Sequence, residues 1–285
     1  MQRPQRRALT CCVGGGSTTG FAKAIALTTG IPIVAVPTTY AGSEATNVWG
    51  LTEADRKTTG VDDRVLPVAV VYDPELTMSL PVELSVASGL NGIAHCVDSM
   101  WAPRSDPINR ALAVEGTRAV AAGLRAIVVD PHDADGRASA LYGAYLSAVA
   151  FASAGSGMHH KICHVLGGTF DLPHAPTHAV VIPYVTAYNS PAAPDAARRI
   201  GEALGSADAL DGLEALRNDT GAPRALRDLG MPEDGIPLAV ELAHAAIPAS
   251  NPRPLTEASL RRLLRAAWAG DPARDLIEDH PGDSA

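Results

Sequence analysis

The sequence lacks several features that would assign it to common protein classes. It has only four cysteines in 285 residues, at positions 11, 12, 96 and 163, and none of them has the C-x-x-C spacing. Neither a zinc ribbon nor a disulfide framework is therefore expected. No apolar run reaches the roughly 18 residues of a transmembrane helix. The basic start is not followed by an apolar core long enough for a secretory signal, so we expect a cytoplasmic protein.

Positive charge is also scarce. Lysine and arginine number 23 against 31 aspartates and glutamates, which gives a formal net charge of -8. Nucleic acids and acidic membranes need a basic surface on their partner, so neither is expected to bind. The hydrophobic content of 46% is enough for a substantial core.

The pattern of the chain changes near residue 80. Before this point, short β-branched runs such as 33–36 and 68–72 alternate with glycine and threonine turns, which is typical of strands in an α/β domain. After it, alanine-rich segments with helical spacing predominate. We predict an α/β domain over residues 1–80 and an all-α helical domain over residues 81–285. Helices are expected at 17–29, 81–101, 106–127, 136–154, 157–166, 194–204, 221–229, 235–246 and 255–268.

A glycine-rich loop, Gly14 to Gly20, lies between a predicted strand and a predicted helix. Glycines let the backbone turn sharply and present N–H groups, and a helix N-terminus attracts anions, so a pyrophosphate would bind well here. The candidate contacts are Gly14, Gly15, Gly16, Ser17 and Thr18. The spacing departs from the usual dinucleotide fingerprint, and the next strand does not end in an acidic residue. A strand-to-helix turn without a ligand is the alternative.

A second polar loop, from Thr38 to Glu44, follows the next predicted strand. It carries hydroxyl groups and a further glycine, with Thr38, Thr39 and Ser43 as candidate cofactor contacts. Loops that follow parallel strands meet at one edge of the sheet, where cofactors bind. Together the two loops favour a nucleotide site.

Histidines are concentrated in one part of the helical region, at positions 159, 160, 164 and 174. His160 and His164 are four residues apart, as are Asn91 and His95 upstream, so each pair shares a helix face. Imidazole binds transition metals and transfers protons near neutral pH, which favours an enzyme. Taken singly, each histidine has an alternative as a hydrogen-bonded core residue.

These segments resemble the iron-containing alcohol dehydrogenase family in order and approximate spacing, over about residues 8 to 268. The matching segments are the Gly14–Gly20 loop, Pro37–Glu44, Tyr72–Pro74, Gly89–His95, His160–Gly168 and Pro173–His174. Within the family, four of them are similar to the maleylacetate reductases. The resemblance implies a Rossmann-like nucleotide-binding domain, a helical domain and a cleft between them, in a dehydroquinate synthase-like architecture. Family members begin with a further strand, helix and strand upstream of the glycine loop, so the nucleotide-binding fold is expected to be shortened here.

The resemblance also implies roles for the site residues. Metal-binding members use one aspartate and three histidines, whose positions here are Asn91, His95, His160 and His174. A neutral amide in place of the carboxylate removes an attraction to a dication worth a few kcal/mol at an effective dielectric of ~20. Maleylacetate reductases share this asparagine, so the resemblance implies that no metal is required, and weak binding of zinc by the three histidines stays open. His164 corresponds to the position nearest the nicotinamide. His174 would polarise or protonate the substrate, and His95 and His160 would support it.

The implied reaction is the NADH- or NADPH-dependent reduction of the carbon–carbon double bond of maleylacetate to 3-oxoadipate, by a homodimer. Asn91, Lys161 and Arg253 are candidate contacts for this small dicarboxylate substrate, and the alternative for the two cations is a solvated surface charge. Two other functions remain open: a metal-dependent alcohol dehydrogenase of the same family, and an inactive truncated remnant.

Overall fold

The structure is a computed structural model that describes residues 8–53 and 56–277. The outer ends of the two predicted domain ranges, residues 1–7 and 278–285, lie outside the described residues. The first 70 residues contain two small sheets. The strands of the parallel sheet, in spatial order, are β1 (Thr10–Gly14), β2 (Ile33–Pro37) and β5 (Ala69–Val70), and an antiparallel hairpin joins β3 (Val48–Glu53) to β4 (Arg56–Val61).

Helix α1 (Gly16–Thr29) connects β1 to β2 and covers one face of the parallel sheet. Its buried residues Ala22 and Ala26 pack against Ile33 and Ala35 of β2. Because β1 and β2 are parallel, with Gly14 opposite Pro37, the loops that leave them start at the same edge of the sheet. This edge is where the two predicted cofactor loops lie.

The rest of the described chain is helical. The helices are α2 (Val82–Trp101), α3 (Pro107–Val129), α4 (Ala134–Ala154), α5 (Met158–Phe170), α6 (His174–Asn189), α7 (Pro194–Leu204), α8 (Ala209–Thr220), α9 (Ile236–Ala246) and α10 (Glu257–Ala269). Helix α2 is buried from Ser85 to Trp101 and packs against α3, α4 and α6. One apolar core surrounds α2 and α3, and another joins α5 and α6 to α9 and α10. The predicted fold class, α/β followed by helical, is confirmed.

Helices α6 and α8 are not predicted from the sequence, and the helix predicted at 221–229 is not formed. The sequence does not predict α6, because Pro183 interrupts it and a β-branched run precedes that proline. The predicted helix at 221–229 is also wrong, since Gly221 adopts a left-handed conformation with φ 64° and ends α8 one residue earlier. The exact domain boundary at residue 80 remains a prediction.

In the part of the chain that the structure describes, no helix has both the length and the apolar character needed to cross a membrane.

Candidate active site

Three helices bring the four predicted histidines together. His95 of α2 stacks on His160 of α5, with 4.8 Å between ring centroids and 15° between ring planes. His164 lies 6.0 Å from His160 and 6.4 Å from His174 of α6. His95 and His160 are buried, His164 is half-buried and His174 is exposed. The group, hereafter the histidine cluster, therefore runs from the interior to solvent.

A buried carboxylate holds α5 in place at the inner end of the cluster. Asp98 of α2 accepts hydrogen bonds from the backbone N–H groups of Gly157, His159 and His160, at 3.0, 3.3 and 3.1 Å. Its Oδ2 also lies 2.7 Å from Nδ1 of His160. A helix N-terminus favours such an acceptor, because its first N–H groups have no partner within the helix.

This contact fixes the orientation of the His160 ring. Burial raises the pKa of Asp98 to about 7, and the backbone N–H groups act in the opposite direction. Those N–H donors favour the carboxylate form, to which His160 donates from Nδ1. His160 Nε2 is then left as an acceptor, which defines its tautomer.

The surroundings of Asp98 and His160 are closely packed. A Cβ added to Gly157 would lie 2.8 Å from Asp98 Oδ1, so glycine is needed for α5 to approach the carboxylate. Phe151 of α4 packs against both His95 and His160, with centroid distances of 4.6 and 4.3 Å. This apolar wall keeps water away from the two rings.

The inner imidazoles are neutral near neutral pH. Burial, with smaller contributions from His174 and His164, lowers the pKa of His95 to about 3, and burial also holds the pKa of His160 well below its usual value. Within residues 8–53 and 56–277, Asn91 Oδ1, His95 Nδ1 and His160 Nε2 are buried and have no hydrogen-bond partner. Unpaired buried polar atoms are rare in folded proteins, so these atoms indicate a site for a polar ligand.

Two further histidines lie against the histidine cluster, and the sequence did not predict a role for either. His159 was noted without a role, and His178 was not identified at all. His159 Nε2 lies 2.9 Å from His178 Nδ1, and the His178 ring is 4.5 Å from His174. The available signal was the four-residue spacing of His174 and His178, which indicates a shared face only once α6 is known to be a helix.

Of the four predicted ligand positions, only His160 belongs to a group of donors spaced closely enough for a metal ion. Among the described residues, the histidines whose nitrogens lie within 4.8 Å of one another are His159, His160 and His178. Two of these are already hydrogen-bonded to each other, and neither His95 nor His174 belongs to the group. Asn91 offers a neutral oxygen where a carboxylate would be needed to balance the charge.

The two cofactor loops touch each other at the edge of the sheet. The backbone N–H of Thr38 donates to the Gly14 carbonyl at 3.1 Å, and a Cβ on Gly15 would lie 2.8 Å from Thr39 Cγ2. Gly16, Ser17 and Thr18 form the exposed first turn of α1, whose N-terminus has no side-chain cap. The backbone N–H groups of this turn fit a phosphate group.

Gly42 joins these loops to the histidine cluster. It has a φ of 77°, which favours glycine. A Cβ there would meet Ala148 of α4 at 2.9 Å and would lie 3.6 Å from His95 Nδ1. Ser43 follows directly, so the residues predicted to hold a cofactor and those predicted to act on a substrate are continuous in space.

The predicted cationic contacts lie in different places. Lys161 is half-buried next to His160 on α5, and its charge lowers the pKa of Asp98. Arg253 is buried, donates to the Leu276 carbonyl at 2.9 Å and stacks on the Tyr188 ring at 4.5 Å. The 1.5 Å rise per residue of a helix puts Tyr188 roughly 21 Å from His174. This placement does not favour contact between Arg253 and a substrate at the cluster.

The chain matches known proteins over more than nine tenths of its length. Residues 7–74 match the iron-containing alcohol dehydrogenase family, and residues 85–268 match the C-terminal part of the Fe-containing alcohol dehydrogenase family. A maleylacetate reductase of Sphingobium indicum is 51% identical over 92% of this chain and 74% of its own length. The crystal structure of an iron-containing alcohol dehydrogenase from Corynebacterium glutamicum is 63% identical with a TM-score of 0.92, over 94% of this chain and 75% of that one. A sulfoacetaldehyde reductase from Bifidobacterium kashiwanohense, solved in complex with NAD+, is 25% identical with a TM-score of 0.81, over 92% of this chain and 76% of that one.

Proposed function

The chain belongs to the iron-containing alcohol dehydrogenase family, and we propose that it reduces maleylacetate to 3-oxoadipate with NADH or NADPH. The observation that carries the proposal is the cluster of neutral imidazoles beside Asn91, reached by the loop from the predicted cofactor site. The 51% identity to a maleylacetate reductase supports this substrate over a simple alcohol.

The residues at the sheet edge fit a dinucleotide cofactor. The turn leaves no room for side chains at Gly14 and Gly15, and Gly16, Ser17 and Thr18 open a helix whose N-terminus faces the same edge. Thr38, Thr39 and Ser43 add hydroxyl groups from the second loop. The NAD+ complex of the sulfoacetaldehyde reductase supports a nicotinamide cofactor. When bound, this cofactor would supply a hydride.

The chain's own side chains would stabilise charge and deliver a proton. Reduction of a double bond conjugated to a ketone builds negative charge on the ketone oxygen, which needs a hydrogen-bond donor there. The neutral imidazole of His95 can donate without bringing a buried cation, and His160, whose Nε2 is an acceptor, would support it. His174 is exposed, so we propose that it passes a solvent proton to the substrate carbon, while His164 lies nearest the nicotinamide. Asn91 and Lys161 would bind the substrate carboxylates.

We propose that no metal is required for this reaction. The support is the chemistry of the donors, since Asn91 is neutral and the nitrogens of His95 and His174 do not group with those of His160. Three imidazoles can still bind zinc weakly, so the metal content of the purified protein distinguishes this proposal from metal-dependent catalysis.

A rate assay with the purified chain tests the proposal. Maleylacetate should be consumed with NADH or NADPH at a saturable rate, and each mole of cofactor oxidised should yield one mole of 3-oxoadipate. Small alcohols and aldehydes with added iron or zinc form the comparison series. Metal-dependent turnover of an alcohol without turnover of maleylacetate would support the alcohol dehydrogenase alternative, and saturable binding of neither cofactor would support an inactive remnant.

A further inference from the structure

A lysine is buried inside the α/β region, where the proposed reaction makes no use of it. Lys23 lies on the inner face of α1, is only 1% exposed, and follows Ala22 in the apolar contact with the sheet. A buried ammonium group is costly unless it is fully hydrogen-bonded. Burial lowers the pKa of Lys23 to about 8, and the negative charge of Glu44 opposes this.

The Lys23 side chain is tied to one short segment of the chain. Its Nζ donates to the carbonyl oxygens of Ser43, Thr46 and Val48 at 2.7, 2.8 and 2.7 Å, and lies 3.1 Å from Thr46 Oγ1. These acceptors surround an ammonium group that has three N–H donors. The segment from Ser43 to Val48, hereafter the bracket segment, is thereby fixed to α1.

The bracket segment continues directly from the second cofactor loop. That loop is held at its start by the contact between Thr39 and Gly15, and Gly42 packs against α4 close to His95. At its far end Glu44 is buried, and accepts a hydrogen bond from Tyr72 Oη at 3.0 Å. Lys23 therefore anchors the end of the loop to the same helix whose N-terminus forms the glycine turn.

We propose that Lys23 is a positioning residue for cofactor binding, which acts through the bracket segment to hold the Thr38–Ser43 loop against the glycine turn. This inference rests on the proposed function, because it takes the bound molecule to be NADH or NADPH. In the proposed arrangement, Lys23 does not touch the cofactor. Its loss loosens one of the two loops that contact the phosphates, and leaves the histidine cluster in place.

The test compares cofactor affinity with turnover in three variants. Lys23→Met keeps the length of the side chain and removes all its donors. Thr46→Val is a milder change, because it removes one acceptor of Lys23 and keeps the three carbonyl contacts. Thr28→Val, on the exposed face of α1 where the hydroxyl donates to the Ala24 carbonyl at 3.0 Å, is the matched control. The dissociation constant of NADH and NADPH is measured by fluorescence titration, and folding by circular dichroism.

Lys23→Met should raise the cofactor dissociation constant by about tenfold or more, and Thr46→Val by about threefold, as expected for the loss of charged and neutral hydrogen bonds. The value of kcat at saturating cofactor should change much less than KM for the cofactor, and Thr28→Val should match the wild type. If Lys23→Met does not fold, Thr46→Val decides. The inference would be overturned if both variants fold and bind the cofactor with wild-type affinity. It would also be overturned if kcat and cofactor affinity fall by the same factor in Lys23→Met. Failure of the wild type to bind either cofactor would instead refute the proposed function.

Discussion

A single carboxylate, Asp98, sets the geometry of the inner site. It lies three residues after His95 on α2 and receives the N-terminus of α5, so it fixes the distance between the two helices that carry His95 and His160. The same group orients the His160 ring through Nδ1. Its effect on function is therefore indirect, through the position of an imidazole.

Replacement of this carboxylate should affect both stability and turnover. In Asp98→Asn, only Oδ1 can accept, and the amide N–H₂ faces backbone donors. We expect a loss of about 1–3 kcal/mol in the free energy of unfolding, from buried N–H groups left unpaired. The kcat for maleylacetate should fall by at least about tenfold, because the His160 ring loses the carboxylate that orients it. A tenfold fall corresponds to about 1.4 kcal/mol of activation free energy. Urea denaturation and steady-state rates measure the two effects.

Asp133→Asn is the matched control for this substitution. Asp133 also accepts at a helix N-terminus, from the backbone N–H of Asp135 at the start of α4, and asparagine serves equally well as an N-cap. Its stability and activity should stay near those of the wild type. Equal losses in the two variants would show that Asp98 has no special role.

Among the elements, local signals decided which could be predicted from the sequence. The strand, glycine turn and helix from β1 to α1 were predicted because turn chemistry acts over a few residues. Helix α6 was not, because Pro183 and the preceding β-branched residues disfavour a helix when taken alone. In the fold this segment is buried from Thr177 to Asn189, and burial outweighs the weak local preference.

The close contact between the two cofactor loops gives a prediction for glycine substitutions. In Gly15→Ala, the added methyl group would lie 2.8 Å from Thr39 Cγ2, so the Thr39 side chain must move away from the glycine turn. We expect KM for the cofactor to rise by about tenfold, which corresponds to about 1.4 kcal/mol of lost binding energy. Initial rates over a range of NADH concentrations measure this.

Gly20→Ala, further along α1, is the matched control. Among the described residues, no atom outside the backbone of α1 itself and the two neighbouring residues lies within 4 Å of the added methyl group, and alanine favours a helix interior over glycine by about 0.5–1 kcal/mol. KM should therefore stay unchanged and the protein should become slightly more stable. If Gly15→Ala behaves in the same way, the two loops do not form one binding site.

For the molecule as a whole, the sequence predicted which residues carry chemistry better than it predicted how they are supported. His95, His160, His164 and His174 were identified from motifs, and the structure brings them together. Asp98, His178 and Lys23 were not, because their contacts join residues of different elements that no local pattern connects. Arg253 belongs to a sequence motif, yet its guanidinium stacks on Tyr188 of α6 and donates to the Leu276 carbonyl.

The stability of the protein should depend on pH through its buried histidines. Burial lowers the pKa of His95 and of His159 from 6.5 to about 3 in the folded state. Between pH 6.5 and pH 3, the unfolded chain binds protons at these histidines and the folded protein does not. The folding free energy gained from keeping the two histidines neutral is therefore complete above pH 6.5 and is lost as the pH falls toward 3. Urea denaturation at several pH values should show a steady decrease over this range.

Two substitutions separate this effect from general acid denaturation. His95→Gln should flatten the pH dependence of the unfolding free energy, because it removes one of the buried titrating groups. His132→Gln changes an exposed histidine between α3 and α4 and should leave the dependence as in the wild type. A decrease of equal slope in all three proteins would assign the acid sensitivity to other groups.

In the proposed reaction, imidazoles from three helices support the reduction without a metal ion. The most direct test is the metal content of the purified protein together with its rate of maleylacetate reduction before and after treatment with a chelator. We predict substoichiometric iron and zinc and an unchanged rate. Stoichiometric metal whose removal abolishes turnover, and whose return restores it, would show that the reaction depends on a metal ion.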